Sequence, residues 1–198
     1  FCCFNDSYKI SEVEFSIWMR LLKNVEESIL WLLDTNRWAR DNLKKEAKKR
    51  GIEPQRIVFA KKVKISDHLS RIRFADLFLD TFNYNAHTTA SDALWAGLPI
   101  LTKIGSSFSA RVASSLLYAM DIPELVTKNQ HDYERLALSL AKNPKKLLEI
   151  KRKILINKKT SPLFDSNKYV KYLENGYLEV YKNYLKDEKK TIYVSDNF

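Results

Sequence analysis

Two neighbouring threonines stand where a helix is due to begin. In residues 75–102, ADLFLDTFNYNAHTTASDALWAGLPILT, the apolar run Leu77, Phe78, Leu79 ends at Asp80. A polar loop then leads to His87, Thr88 and Thr89. An apolar helix is expected over 90–96, with Gly97 ending it in a left-handed conformation and Pro99 preventing its continuation. Ile100 and Leu101 begin the next strand. Hydroxyls, unpaired backbone N–H groups and the positive end of a helix dipole together make an anion site. Plain helix capping is the alternative, because Thr89 and Asp92 have capping-box spacing with Asp in place of Glu or Gln.

Other residues add to this chemistry. Lys9 follows the first apolar stretch, on the rim where an anion would lie, and a lysine there neutralises a leaving phosphate as a point charge. His68 and Arg71 lie three apart and share a helix face. An imidazole stacks on a base and a guanidinium bonds to a base carbonyl, although a solvated surface histidine has the same spacing. With 4 glycines in the chain, and neither G-x-G-x-x-G nor a Walker A sequence, a glycine-cradled phosphate loop is excluded. The 3 histidines are scattered and the 2 cysteines adjacent, so no metal-ligand spacing is present. A nucleophile elbow is also absent.

The elements that must position these groups alternate. Apolar strands are expected at 1–4, 29–33, 57–60, 77–79 and from Ile100, with a short apolar piece at 124–126. Between and after them, helices are expected at about 12–22, 36–50, 66–74, 90–96, 107–120, 130–141, 144–157 and 166–185. Ser11 is read as the cap of the first, Ser66 as the cap of the third and Gly51 as the stop of the second. This alternation predicts an α/β fold, a parallel sheet of five or six strands with helices on both faces. Ligands of such sheets bind beyond the C-terminal strand ends. The turns that matter are therefore 5–9, 60–68, 81–92 and 102–107. We divide the chain into a Rossmann-like lobe (1–160), a linker and C-terminal helix (161–186) and a tail (187–198). Tyrosines and aliphatics on one face of that last helix read as a docking surface.

Composition sets outer bounds. Hydrophobic residues make up 45% of 198, enough for a sizeable core and too many for a disordered chain. Phe1 opens an apolar strand, so the natural chain is expected to begin upstream. Cys2 and Cys3, neighbours in one strand, point to opposite faces and are poor disulfide partners. Reduced, buried thiols in a cytoplasmic protein are the simplest reading. No apolar run approaches a membrane span and no signal peptide is visible. A net charge of +10 suits anionic ligands, a membrane surface or nucleic acid. Most of the lysines fit solvated helix faces, and the lack of an RNA-binding signature disfavours nucleic acid.

Several segments occur in a recognisable order: FNDSYKI, ILWLL, DHLSRIRFADLFLDT, YNAHTTASDALWAGLP, SARVASSLL and TSPLFD. Over residues 1–185 they resemble the C-terminal catalytic lobe of the O-linked N-acetylglucosamine transferase and SPINDLY family, glycosyltransferase family 41. The resemblance implies the second, donor-binding lobe of a GT-B enzyme that transfers a sugar from a nucleotide donor without a metal or other cofactor. By resemblance, Lys9 clamps the donor diphosphate, His68 stacks over uracil and Arg71 lies near the base. The Val63 backbone bonds the base, Thr88 and Thr89 bind the phosphates at the helix start, and Asp92 holds the ribose hydroxyls; His87 joins the donor-binding set as the first residue of the His87-Thr88-Thr89 cradle. The implied partners are a nucleotide sugar, an acceptor protein, an N-terminal catalytic lobe and tetratricopeptide repeats.

Three positions depart from the family pattern. Asp6 replaces a frequent glutamine near the phosphates, Ile65 a lysine and Ser106 a glutamate. The donor is read as UDP-N-acetylglucosamine and the acceptors as Ser or Thr of proteins. GDP-fucose or UDP-glucose transfer stays open, as does an inactive lobe serving as a basic binding module.

Overall fold

In the computed structural model, which describes residues 1–194, six parallel strands form one sheet. They are β1 (Cys2–Cys3), β2 (Leu30–Leu33), β3 (Ile57–Ala60), β4 (Phe78–Leu79), β5 (Ile100–Lys103) and β6 (Val126–Thr127). Helices α1 (Glu12–Asn24), α2 (Arg37–Lys49), α3 (Ile65–Arg71), α4 (Thr88–Trp95) and α5 (Val112–Ala119) alternate with them. After β6 come α6 (Gln130–Lys142), α7 (Pro144–Asn157) and α8 (Ser166–Leu185). The expected α/β architecture is present, with the 124–126 piece leading into the sixth strand.

The strand order is β3-β2-β1-β4-β5-β6. The chain starts at the centre, winds outward to β3, then crosses back to place β4 on the free side of β1. In register, Cys2 faces Trp31 on one side and Phe78 on the other. The β1/β4 boundary is thus the topological switch point, where connections leave in opposite directions and open a crevice above the strand ends.

Local chemistry explains most element ends. A capping box formed by Ser11 and Glu14 starts α1. Gly51 and Gly97, at φ 74° and 82°, follow α2 and α4 in left-handed turns. Two expected helices are shorter than read. Ser66 is not the cap of α3: the helix begins at Ile65, with Lys64, two residues before Ser66, in the capping position, and it tightens at Ile72–Phe74 into a 3₁₀ turn. The helix expected over 107–120 divides into a 3₁₀ turn at Phe108–Ala110 and α5.

The core joins the helices to the sheet through a polar link. Trp18 of α1 and Tyr133 of α6 are fully buried, and Trp18 Nε1 donates to Tyr133 Oη at 3.3 Å. Tyr133 Oη in turn donates to the Asp80 carbonyl at 3.0 Å. Cys2 and Cys3 are free and buried, and burial pushes the Cys2 thiol up to about 12. Segment 158–165 is pinned to the domain: buried Ser161 donates to the Ala119 carbonyl at 3.0 Å. Phe164 meets the edge of Trp95 at 5.2 Å. The tyrosine face of α8, including Tyr169, Tyr177, Tyr181 and Tyr184, is exposed. Of the tail at 187–198, residues 195–198 lie outside the described residues.

Candidate functional site

The crevice at the β1/β4 switch point is lined by residues that follow each strand end. Asn5 comes just after β1 and Asp80 just after β4; both are buried. Asn5 Nδ2 donates across the crevice to Asp80 Oδ1 at 3.1 Å and to Thr81 Oγ1 at 2.8 Å. The same Asp80 oxygen accepts the Thr81 and Ala86 backbone N–H groups at 2.8 and 2.7 Å, which closes the loop leading to α4. Thr102 of β5 donates to its other oxygen at 2.7 Å. Burial nevertheless pushes the Asp80 carboxyl up to about 7, against the pull of these four donors.

Lys9 ends a 3₁₀ turn, Ser7–Lys9, that follows β1. Its ammonium donates to the Asn85 carbonyl at 3.1 Å and lies 3.7 Å from the centroid of the Tyr84 ring. The lysine is therefore held on the loop that feeds α4. Burial lowers its pKa, while the nearby Asp80 and Asp6 carboxylates favour its charge.

At the front of α4, Thr88 is exposed and Thr89 half-buried. The capping-box reading of Thr89 and Asp92 is not what forms. His87 occupies the cap position but its side chain makes no capping bond, and Thr89 Oγ1 donates to Asn5 Oδ1 at 2.7 Å. Among the described residues, the Thr88 and Thr89 backbone N–H groups have no hydrogen-bond partner. They are the helix-start donors that attract anions. His87 turns toward the next loop, with Nε2 3.2 Å from the Ser109 carbonyl and its ring between Tyr84 and Phe108.

A second cluster lies on the β1–α3 side. Arg71 Nε donates to His68 Nδ1 at 3.2 Å, and the His68 ring meets the edge of Phe4 at 5.1 Å. Arg71 Nη1 also donates to the Lys61 carbonyl at 2.6 Å, tying down the 61–64 loop that carries exposed Val63. Burial, then the Arg71 charge, lowers the His68 pKa, and nearby Asp92 opposes both. Asp92 is raised by burial and held back by His68. A neutral imidazole, a fixed guanidinium and a carboxylate thus gather close together.

The structure therefore joins Lys9 to the α4 loop and groups His68, Arg71 and Asp92. Between Lys9 and the threonines the link runs through Asn85, with no direct hydrogen bond among the described residues. Sequence reasoning missed Asn5, Asp80 and Tyr84. The usable signal was a polar residue directly after each of two apolar strands, which becomes informative only once β1 and β4 are neighbours.

A parallel α/β lobe with a lysine and a helix start at one switch-point crevice is built to receive an anionic ligand. The family model for glycosyl transferase family 41 matches residues 1–173, and the chain belongs to that family. It is 37% identical over 184 residues to a UDP-N-acetylglucosamine–peptide N-acetylglucosaminyltransferase of Caenorhabditis elegans, covering 93% of this chain and 16% of that protein. A probable enzyme of the same name from Arabidopsis thaliana is 35% identical, with 91% and 19% covered. Among solved structures, a mutant O-GlcNAc transferase of Thermobaculum terrenum superposes with a TM-score of 0.85 at 25% identity, covering 92% of this chain and 36% of that one. The chain thus spans roughly a sixth to a fifth of these two relatives' length.

Proposed function

We propose that this chain is the donor-binding lobe of a protein glycosyltransferase that moves N-acetylglucosamine from its UDP conjugate to Ser or Thr hydroxyls. One observation carries the reading: Lys9 and the open N-terminus of α4 are fixed to the same loop at the switch-point crevice. In that reaction the bond from the sugar's anomeric carbon to phosphate breaks, and the diphosphate leaves with the electron pair. The acceptor hydroxyl oxygen forms the new bond to the anomeric carbon, and its proton passes to water. Stabilising charge as it builds on the leaving group is what a lysine and helix-start amides do well.

The roles then follow by position. Lys9 and the Thr88 and Thr89 amides take the diphosphate, with His87 beside them. His68 stacks on uracil, Arg71 steadies that histidine near the base, the Val63 backbone bonds the base and Asp92 takes the ribose hydroxyls. Lysine and amides supply the charge stabilisation, so we infer a metal-independent reaction. The small share of its relatives' length supports a second catalytic lobe and a protein-binding region outside this chain. Two buried, unpaired cysteines support a cytoplasmic setting.

Calorimetric titration of the protein with UDP, GDP and their sugars tests the proposal, with UDP and UDP-N-acetylglucosamine expected to bind best. Failure of every nucleotide to bind better than about millimolar, roughly 4 kcal/mol, would overturn it. This lobe alone is expected to be inactive, so the metal-independent step is tested on the full-length protein: turnover unchanged by a chelator is the expected result, and loss of turnover would refute it.

A further inference from the structure

The two threonines of α4 do different jobs, and the difference is written in hydrogen-bond directions. Thr81 Oγ1 donates its only proton to the Tyr84 carbonyl at 2.6 Å, so it must accept from Asn5. That places the Asn5 amide nitrogen toward Thr81 and Asp80 and its carbonyl oxygen toward Thr89. An amide oxygen only accepts, so the Thr89 hydroxyl must donate to it at 2.7 Å. The Thr89 proton is thereby committed within the protein, while Thr88 is exposed.

Asp80 anchors the whole arrangement. Through Asn5 it holds Thr89, and through the Thr81 and Ala86 amides it closes the loop whose Asn85 carbonyl receives Lys9. Both the lysine and the helix start are therefore referred to one buried carboxylate.

We propose that Asn5 and Asp80 are positioning residues for the donor diphosphate, and that Thr89 serves through its backbone N–H while its hydroxyl acts as a strut to Asn5. Resting on the donor-lobe reading, this divides the threonines: Thr88 offers its hydroxyl to phosphate and Thr89 does not.

The test is a double-mutant cycle on the protein, with Asn5→Ala and Thr89→Val, read by the affinities of UDP and of uridine. Uridine lacks the diphosphate, so a purely structural defect weakens both ligands, whereas a positioning defect weakens UDP alone. Each single variant is expected to weaken UDP about tenfold with uridine unchanged, and the double variant no more than either single. Thr89→Ser is expected to restore UDP binding. Thr88→Val combined with Asn5→Ala should be additive. Additive losses for Asn5 and Thr89, or parallel losses for uridine, would overturn the inference. Should Asn5→Ala not fold, Asn5→Ser takes its place in the cycle. Wild-type protein that binds neither ligand would instead overturn the donor-lobe reading itself.

Discussion

The Lys9 ammonium lies 3.7 Å from the centroid of the Tyr84 ring while donating to the carbonyl of the next residue, Asn85. A cation over an aromatic face gains about 0.5–2 kcal/mol, depending on its exposure to water. Tyr84 thus helps hold the charge in place. Tyr84→Leu is expected to lower turnover severalfold and Tyr84→Phe, which keeps the ring face, to leave it near wild type. Steady-state kinetics on both variants checks this, and equal losses would show that the ring is not the active feature.

Lys9→Ala is expected to reduce kcat by about a hundredfold or more, with a smaller change in donor KM, because leaving-group charge is stabilised mainly in the transition state. Burial lowers the pKa of this lysine, and deprotonation removes the stabilising charge. The pH–rate profile should therefore lose activity on its alkaline side earlier than a fully solvated lysine would dictate. Unchanged turnover in Lys9→Ala would remove the residue from its assigned role.

His68→Ala should mainly weaken nucleotide binding, as titration with UDP will read. Burial first, then Arg71, depresses the imidazole pKa below its ordinary value. The sign follows: the unfolded chain takes up a proton more readily than the folded one. Stability from this group is fully present above pH about 6.5 and is lost as pH falls through the lower folded value. An NMR titration of His68 should give a midpoint below that of a free imidazole.

Tyr133→Phe removes one hydroxyl that accepts from Trp18 and donates to the Asp80 carbonyl. Two buried groups then lose a partner, at a cost of about 1–3 kcal/mol each. Thermal unfolding should show a drop in Tm without a new oligomeric state.

Gly97→Ala should destabilise by about 1 kcal/mol or more, because the residue sits at φ 82° and its added methyl would meet Leu155 Cδ2 at 2.9 Å. Denaturant unfolding measures the loss. Gly51→Ala shares the left-handed φ, but its added methyl meets only the flexible end of Lys23 at 3.5 Å, so it should cost less.

Much of the fold is legible in the sequence because apolar runs, capping residues and glycine stops are local signals. Ser11 with Glu14, Gly51 and Gly97 each act within one turn of chain. The expected cap of α3 at Ser66 failed for the same reason in reverse: the backbone entered the helix from Lys64, two residues earlier, and Ser66 lies inside it. The role of Thr89 was not legible from spacing. A capping box with Asp92 is the local solution, but Asn5 outcompetes it from 84 residues away. Asn5 and Asp80 are likewise ordinary polar residues until the crossover brings their strands together.

Strands β1 and β4 are separated by most of the first eighty residues yet share a border. A cleft made from such distant parts does not exist in the unfolded chain, so a molecule seated there favours only the finished fold. At a hundred times its dissociation constant, a nucleotide would add about 2.7 kcal/mol to the folding free energy. The cell's supply of that nucleotide would then help set how much of the protein survives heat and proteolysis.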